Sequence, residues 1–203
     1  MKLYYSHNLN PRLGVAVAKH LKSPVTFIRA DPRNPAHEEA FRPINPNTLV
    51  PVLVEPHQTL WETDAIACRL SQLAGSDFWR TDEKMPQMMM WISWATHHFT
   101  RAGDFFYFER LVRPTFSNIE PDSEAVVSKM ADFRKFAGIL EDLLKGKNWL
   151  VDDKLSYADF RVGTVLPFAE KAGLPVGGFP NIMKFSARLD EIEGWREPFK
   201  EID

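Results

Sequence analysis

The chain has one cysteine, Cys68, so no intramolecular disulfide can form and a disulfide-stapled secreted fold is excluded. It has almost no charge imbalance: 25 Lys and Arg against 27 Asp and Glu leave a net charge of −2. That is too little to draw in nucleic-acid phosphates or an anionic membrane, so neither is expected as a partner. No apolar run approaches the roughly 20 residues needed to cross a bilayer. The opening residues Met1-Lys2-Leu3-Tyr4-Tyr5-Ser6 read as the start of a strand, not as a basic segment followed by an apolar signal core, and a cytoplasmic protein is expected. A phosphate-cradling loop is lacking, because Gly173 and Gly177-Gly178 fall in a Pro-interrupted connector and not between a strand and a helix. The histidines suggest no metal site either, since the adjacent His97 and His98 point about 100° apart on a helix.

What is present is a globular composition, 44% hydrophobic and 26% charged over 203 residues, which excludes disorder, collagen and coiled coil. Eight of the 15 prolines lie at or before Pro56, and strand signals are confined to the same region. Leu3 to Tyr5 reads as a strand, Pro11 to Leu21 as a helix with Leu13, Val17 and Leu21 on one face, and Val25 to Arg29 as a second strand. A short helical turn at Glu38 to Phe41 precedes Val52 to Val54 and Thr59 to Trp61, a hairpin turned at Glu55-Pro56-His57-Gln58. Thr63 to Leu73 is helical and stops at Gly75. Beyond it only helical signals remain, near 82–102, 122–144, 158–172 and 182–192. The expected fold is an α/β domain of order βαβαββα over residues 1–77, a polar linker, and an all-α domain over 84–203.

This order resembles the glutathione transferase family, a thioredoxin-like domain followed by a helical domain, over nearly the whole chain. Asn45-Pro46-Asn47-Thr48-Leu49-Val50-Pro51-Val52-Leu53 is similar to the family segment ending in Val-Pro-Val-Leu, whose proline is cis. A cis bond there turns the backbone N–H and C=O of Val50 toward a pocket, where they pair with the cysteinyl part of glutathione. Trp61-Glu62-Thr63-Asp64-Ala65-Ile66 is similar to the family's Glu-Ser-x-Ala-Ile with Thr in place of Ser. The N–H groups opening that helix suit the γ-glutamyl carboxylate, and Glu62 can accept from its ammonium; the alternative role for Thr63 is a plain N-cap. Ser156-Tyr157-Ala158-Asp159 matches the family's capping box, a structural role that removes Asp159 from the catalytic candidates.

The resemblance implies reduced glutathione as co-substrate, with its thiol held as thiolate although a free cysteine thiol has a pKa of about 8.5. Relatives donate a hydrogen bond to the sulfur from a residue after the first strand, close to a helix N-terminus. The Met-Lys-Leu-Tyr-Tyr-Ser opening is similar to bacterial beta-type members, but the position of their cysteine is Asn10. Cysteine-based mixed-disulfide chemistry there is therefore excluded. Asn10 ranks first as the sulfur's donor, with capping of the first helix as its alternative role; Ser6 ranks second and Asn8 third. Tyr5 is expected in the core. The binding set is Leu49, Val50, Pro51, Glu62 and Thr63, and Thr48-Leu49 stands where many members carry Gly-Lys. A cation for the glycyl carboxylate would then come from Arg12, Arg33 or His37.

For the electrophile the resemblance implies a hydrophobic pocket shared with the second domain's first long helix, here with Asn8, Trp94, His98 and Phe105. Positions 91, 94, 98, 102 and 105 share one helical face, so bundle packing competes with ligand contact for these rings. The implied activity is glutathione transfer to a hydrophobic electrophile, as in detoxification. The alternatives are a non-catalytic binding module or a glutathione-dependent disulfide or peroxide reductase. A homodimer is implied as well, with Asp64 near the partner's glutathione.

Overall fold

The computed structural model describes residues 1–32, 34–120 and 122–202, and it divides into two compact units. One comprises Met1–Trp79 together with Ile192–Asp203, and the other Arg80–Glu191. Residues 192 onward, placed in the helical domain on sequence grounds, thus pack with the first unit.

The first unit is a four-stranded sheet ordered β2-β1-β3-β4, made of β1 (Lys2–Tyr5), β2 (Thr26–Arg29), β3 (Val52–Val54) and β4 (Thr59–Trp61). β1 runs parallel to β2 in the register Leu3↔Phe27 and antiparallel to β3 in the register Leu3↔Leu53. The parallel pair needs a crossover, supplied by α1 (Leu9–His20), whereas β3 and β4 form the expected hairpin. Strand alternation buries Leu3 and Tyr5 completely, against Val15, Val17, Val52 and Leu53 in the same core.

In the first unit two helix starts differ from expectation, both at prolines. α1 begins at Leu9, with Pro11 inside its first turn, where a missing N–H costs nothing. α2 (Pro35–Phe41) is a full turn longer than the expected 38–41, because Pro35 starts it and the Asn34 side chain accepts from the Ala36 N–H at 3.1 Å. α3 (Thr63–Leu73) ends as expected, with Gly75 at a φ of +59°.

The second unit is helical. α4 (Met85–Trp94) passes through a π-helical turn at Ala95–Phe99 into α5 (Thr100–Tyr107), and α6 (Ser123–Leu143), α7 (Tyr157–Gly163) and α8 (Pro180–Asp190) follow. The helix expected over 158–172 stops early because Pro167 cannot donate to its interior, and a 3₁₀ turn at Leu166–Phe168 replaces it. Along α4 and α5 the buried stripe is Met88, Ile92, Ala95, Phe99, Ala102 and Phe106. It is rotated by one residue from the face expected at 91, 94, 98, 102 and 105, of which only Trp91 and Ala102 are buried. Aromatic residues occupy both faces, and it is the partners, such as Phe133 at 5.2 Å from Phe99, that decide which face turns inward. The capping box at the start of α7 is present: Asp159 accepts from the Ser156 N–H at 2.8 Å and also from the Leu150 N–H at 2.9 Å. The last helix, α9 (Glu193–Arg196), belongs to the first unit.

Candidate functional site

Three loops of the first unit carry the candidate residues. The loop before β3 is organised by buried Asn45, whose side chain donates to the Leu49 carbonyl at 2.8 Å and accepts from the Asn47 N–H at 3.0 Å. The Val50-Pro51 bond is cis. Leu49 is half exposed, Val50 partly exposed and Pro51 buried. Pro51 lies close against α1: a Cβ added to Gly14 would sit 3.3 Å from the Pro51 Cβ, a tight contact that glycine avoids.

The second loop leads from β4 into α3. Glu62 occupies the N-cap position with φ +71° and ψ 124°, a region that a residue with a Cβ enters at a cost of about 1–3 kcal/mol and that concentrates at ligand-binding sites. Its side chain makes no capping bond to the helix. Thr63 is buried, and its hydroxyl donates to the Asn10 carbonyl at 3.2 Å. Thr63 is therefore the first helical residue and not the cap, and the opening N–H groups of α3 keep no side-chain partner from the N-cap.

The third loop joins β1 to α1. Here Asn8 holds the N-cap position, without a side-chain capping bond, and Asn10 is the second residue of the helix, exposed to solvent, so Asn10 is not the cap of α1. The Ser6 hydroxyl is enclosed and has no hydrogen-bond partner among the described residues. Tyr5 is fully buried as expected, and its hydroxyl donates to the Ile202 carbonyl at 2.9 Å. Cys68, half-buried in α3, has its thiol pKa pushed up by burial, which disfavours the thiolate.

Of the cations considered for the glycyl carboxylate, Arg12 is ruled out. It is buried, donates to the Trp195 carbonyl, and lies 4.9 Å over the Trp195 ring. Its charge is spent on fixing α9 to α1. His37 is exposed on α2, and Arg33 lies outside the described residues. Trp195 and Phe199 were not legible as neighbours of this loop, because no local periodicity reports a contact made across more than 180 residues.

The pocket candidates in the second unit separate. His98 and Phe105 line a cavity of about 490 Å³ together with Arg101, Phe108, Lys129 and Phe136. Trp94 is not part of its lining; it stacks on Phe99 with centroids 6.0 Å apart and meets Phe136 edge-on. His98 lies 4.9 Å from Phe136. Among the described residues, no group of three or more His, Cys, Asp or Glu side chains is placed to hold a metal ion, and no helix is long and apolar enough to cross a membrane.

Comparison with known proteins adds to this geometry. Residues 89–193 match the glutathione S-transferase C-terminal domain family. Glutathione S-transferase 2 of Schizosaccharomyces pombe is 30% identical over 125 residues, covering 57% of this chain and 51% of that protein. Glutathione S-transferase sirG of Leptosphaeria maculans is 28% identical over 180 residues, covering 77% and 70%. The chain thus spans about half the length of the first of these relatives. Among solved structures, a glutathione transferase from Populus trichocarpa superposes with a TM-score of 0.88 at 18% identity, covering 100% of this chain and 99% of that one. A glutathione S-transferase-I bound with lactoylglutathione superposes with a TM-score of 0.84 at 20% identity, covering 97% of each. The thioredoxin-like sheet, the helical second unit and the family match over more than half of the chain lead to one conclusion: this protein belongs to the glutathione S-transferase family.

Proposed function

We propose that the chain binds reduced glutathione in its first unit and directs the thiolate at a hydrophobic electrophile. The observation that carries this reading is the Thr63 to Asn10 hydrogen bond, because it ties the start of α3 to the first turn of α1. The two groups of residues assigned to the two ends of the tripeptide's chemistry are thereby joined by one contact.

In this reading the cysteinyl backbone pairs with Val50, beside Leu49 and Pro51. The γ-glutamyl carboxylate lies at the N-terminal end of α3, where the helix dipole favours negative charge. Glu62 accepts from the ammonium, and its positive φ is the backbone distortion that such an aim would require. The sulfur lies at the N-terminal end of α1. The exposed Asn10 amide donates to it first, with Ser6 second and Asn8 third, and each such bond favours the thiolate over the thiol. Trp94, His98 and Phe105 belong to the electrophile's surroundings, and the two that line the 490 Å³ cavity, His98 and Phe105, are the stronger candidates. A cytoplasmic homodimer acting in detoxification completes the proposal, on the strength of the family.

The thermal unfolding midpoint in the presence of reduced glutathione tests binding, since a ligand held only by the native state raises it by mass action. A dose-dependent rise up to about 10 mM is expected, and a flat response would remove glutathione from the site. Turnover with a panel of aromatic electrophiles, disulfides and peroxides then separates transfer from reduction, and binding without any turnover would leave a binding module.

A further inference from the structure

The segment that follows α8 returns to the first unit and covers the turn between β1 and α1. Phe199 is its centre: its ring lies 4.3 Å from His7 at an interplanar angle of 37°, and 5.8 Å from Tyr5, nearly parallel at 19°. Tyr5 and His7 themselves stack at 6.3 Å, which closes a cluster of three rings. The segment is anchored on both sides of this cluster. Ile202 accepts from the Tyr5 hydroxyl at 2.9 Å, and Trp195 is held by buried Arg12 through its carbonyl and its ring. Further back, a Cβ added at Gly194 would fall 2.8 Å from the His20 nitrogen, so α9 lies directly on the far end of α1.

His7 is exposed, yet it stands between Ser6 and Asn8, in the turn that carries two of the candidate donors to the sulfur and leads directly into the start of α1, where Asn10 lies. A hydrogen bond stabilises a thiolate only when the donor is held in direction and distance, and short turns with exposed side chains hold neither on their own. The aromatic cluster supplies that restraint from a part of the chain remote in sequence.

We propose that Phe199 is a positioning residue for thiol activation: by packing its ring against His7 it fixes the β1 to α1 turn and the start of α1 so that the donors carried there meet the glutathione sulfur. The inference rests on the glutathione reading above. It predicts an effect on the sulfur's acidity and little effect on occupancy, since Val50, Glu62 and Thr63 sit on other elements.

The test uses the full chain and follows the ultraviolet absorbance of bound thiolate against pH, with the glutathione-dependent rise in thermal midpoint measured in parallel. Phe199→Ala and His7→Ala should each raise the apparent pKa of the bound thiol by about one unit, a tenfold loss of thiolate below that pKa. Both should keep the rise in midpoint. Phe199→Tyr and His7→Phe, which keep the ring, should titrate as the wild type does. Wild-type titration in the alanine variants would overturn the proposal even if their midpoints drop, because packing would then be the segment's whole contribution. His7→Phe behaving like His7→Ala would overturn it too, since the imidazole and not the stack would then matter. If Phe199→Ala does not fold, the exposed His7 carries the test. A wild type that shows neither midpoint rise nor thiolate would defeat the glutathione reading, and this inference with it, before any variant is made.

Discussion

The Thr63 hydroxyl donates to the main-chain carbonyl of Asn10 across 3.2 Å, linking the start of α3 to the first turn of α1 over 53 residues of sequence. Thr63 is buried while the Asn10 side chain is exposed, so the bond anchors the Asn10 backbone and leaves its amide directed away from the core. A serine at position 63, as in the related motif, would preserve the donor; a valine would fill the same volume without it.

Thr63→Val is therefore expected to cost about 1 kcal/mol of stability, the net worth of one buried hydrogen bond, and to reduce the midpoint rise produced by glutathione. Thr63→Ser should retain both. Thermal unfolding with and without glutathione checks the pair, and a Thr63→Val protein with undiminished glutathione stabilisation would detach this hydroxyl from the site.

Asn10→Ala is expected to lower turnover by about 10²-fold, the usual effect of deleting one donor to a developing or stabilised anion, with glutathione binding preserved. Ser6→Ala should have a smaller effect, because the Ser6 hydroxyl is enclosed. Steady-state kinetics on both variants decides the ranking. If Ser6→Ala carries the large loss and Asn10→Ala none, the enclosed hydroxyl is the donor.

Asp159 is buried, and burial pushes its carboxyl up to about 7 although three donors from Leu150 and Ser156 pull the other way. Its folded-state value lies above the unfolded one, so the folded protein holds the proton more tightly. The stability this contributes is full below about pH 4 and is lost as pH rises toward 7. Asp159→Asn cannot titrate, and its midpoint should fall less steeply than the wild type's between pH 4 and 7. Asp159→Ala strands the donors of the capping box and should cost about 2 kcal/mol or more. Parallel pH slopes for wild type and Asp159→Asn would contradict the assignment.

Glu55, in the turn between β3 and β4, receives two bonds of 2.9 Å from Arg69 on α3, one to each carboxylate oxygen. The Arg69 bond, ahead of an opposing burial effect, holds the Glu55 carboxyl below its ordinary range. A depressed folded-state value gives stability that is present above the unfolded pKa and lost as pH falls through the folded one. Glu55→Gln should accordingly lower the midpoint at neutral pH and converge with the wild type in acid. Urea unfolding at pH 7 and pH 3 measures this, and an equal deficit at both would assign the loss to packing.

Local pattern was enough for the first unit's strands, for the hairpin and for α3, because period-two and period-3.6 hydrophobicity reflect burial of one face wherever the partner lies. It was not enough where two readings share the same pattern. Trp91, Trp94, His98, Phe99, Phe105 and Phe106 make both sides of α4 and α5 aromatic, and the buried side was set by Phe133 and other residues distant in sequence. The prolines misled in a similar way: Pro11 and Pro35 looked like boundaries but occupy first turns, where a missing N–H is harmless.

The site divides along the same line. Val50-Pro51 and Glu62-Thr63 stood out as motifs because each is a pair of adjacent residues, and the structure shows the first bond as cis and the second pair at the start of α3. That Thr63 bonds to Asn10, that Arg12 is committed to Trp195, and that Phe199 rests on His7 belongs to the tertiary structure alone. Such contacts form only after the chain closes loops of 53 to more than 180 residues, and a closure of that length is decided by the sum of all the packing around it, which no stretch of sequence contains.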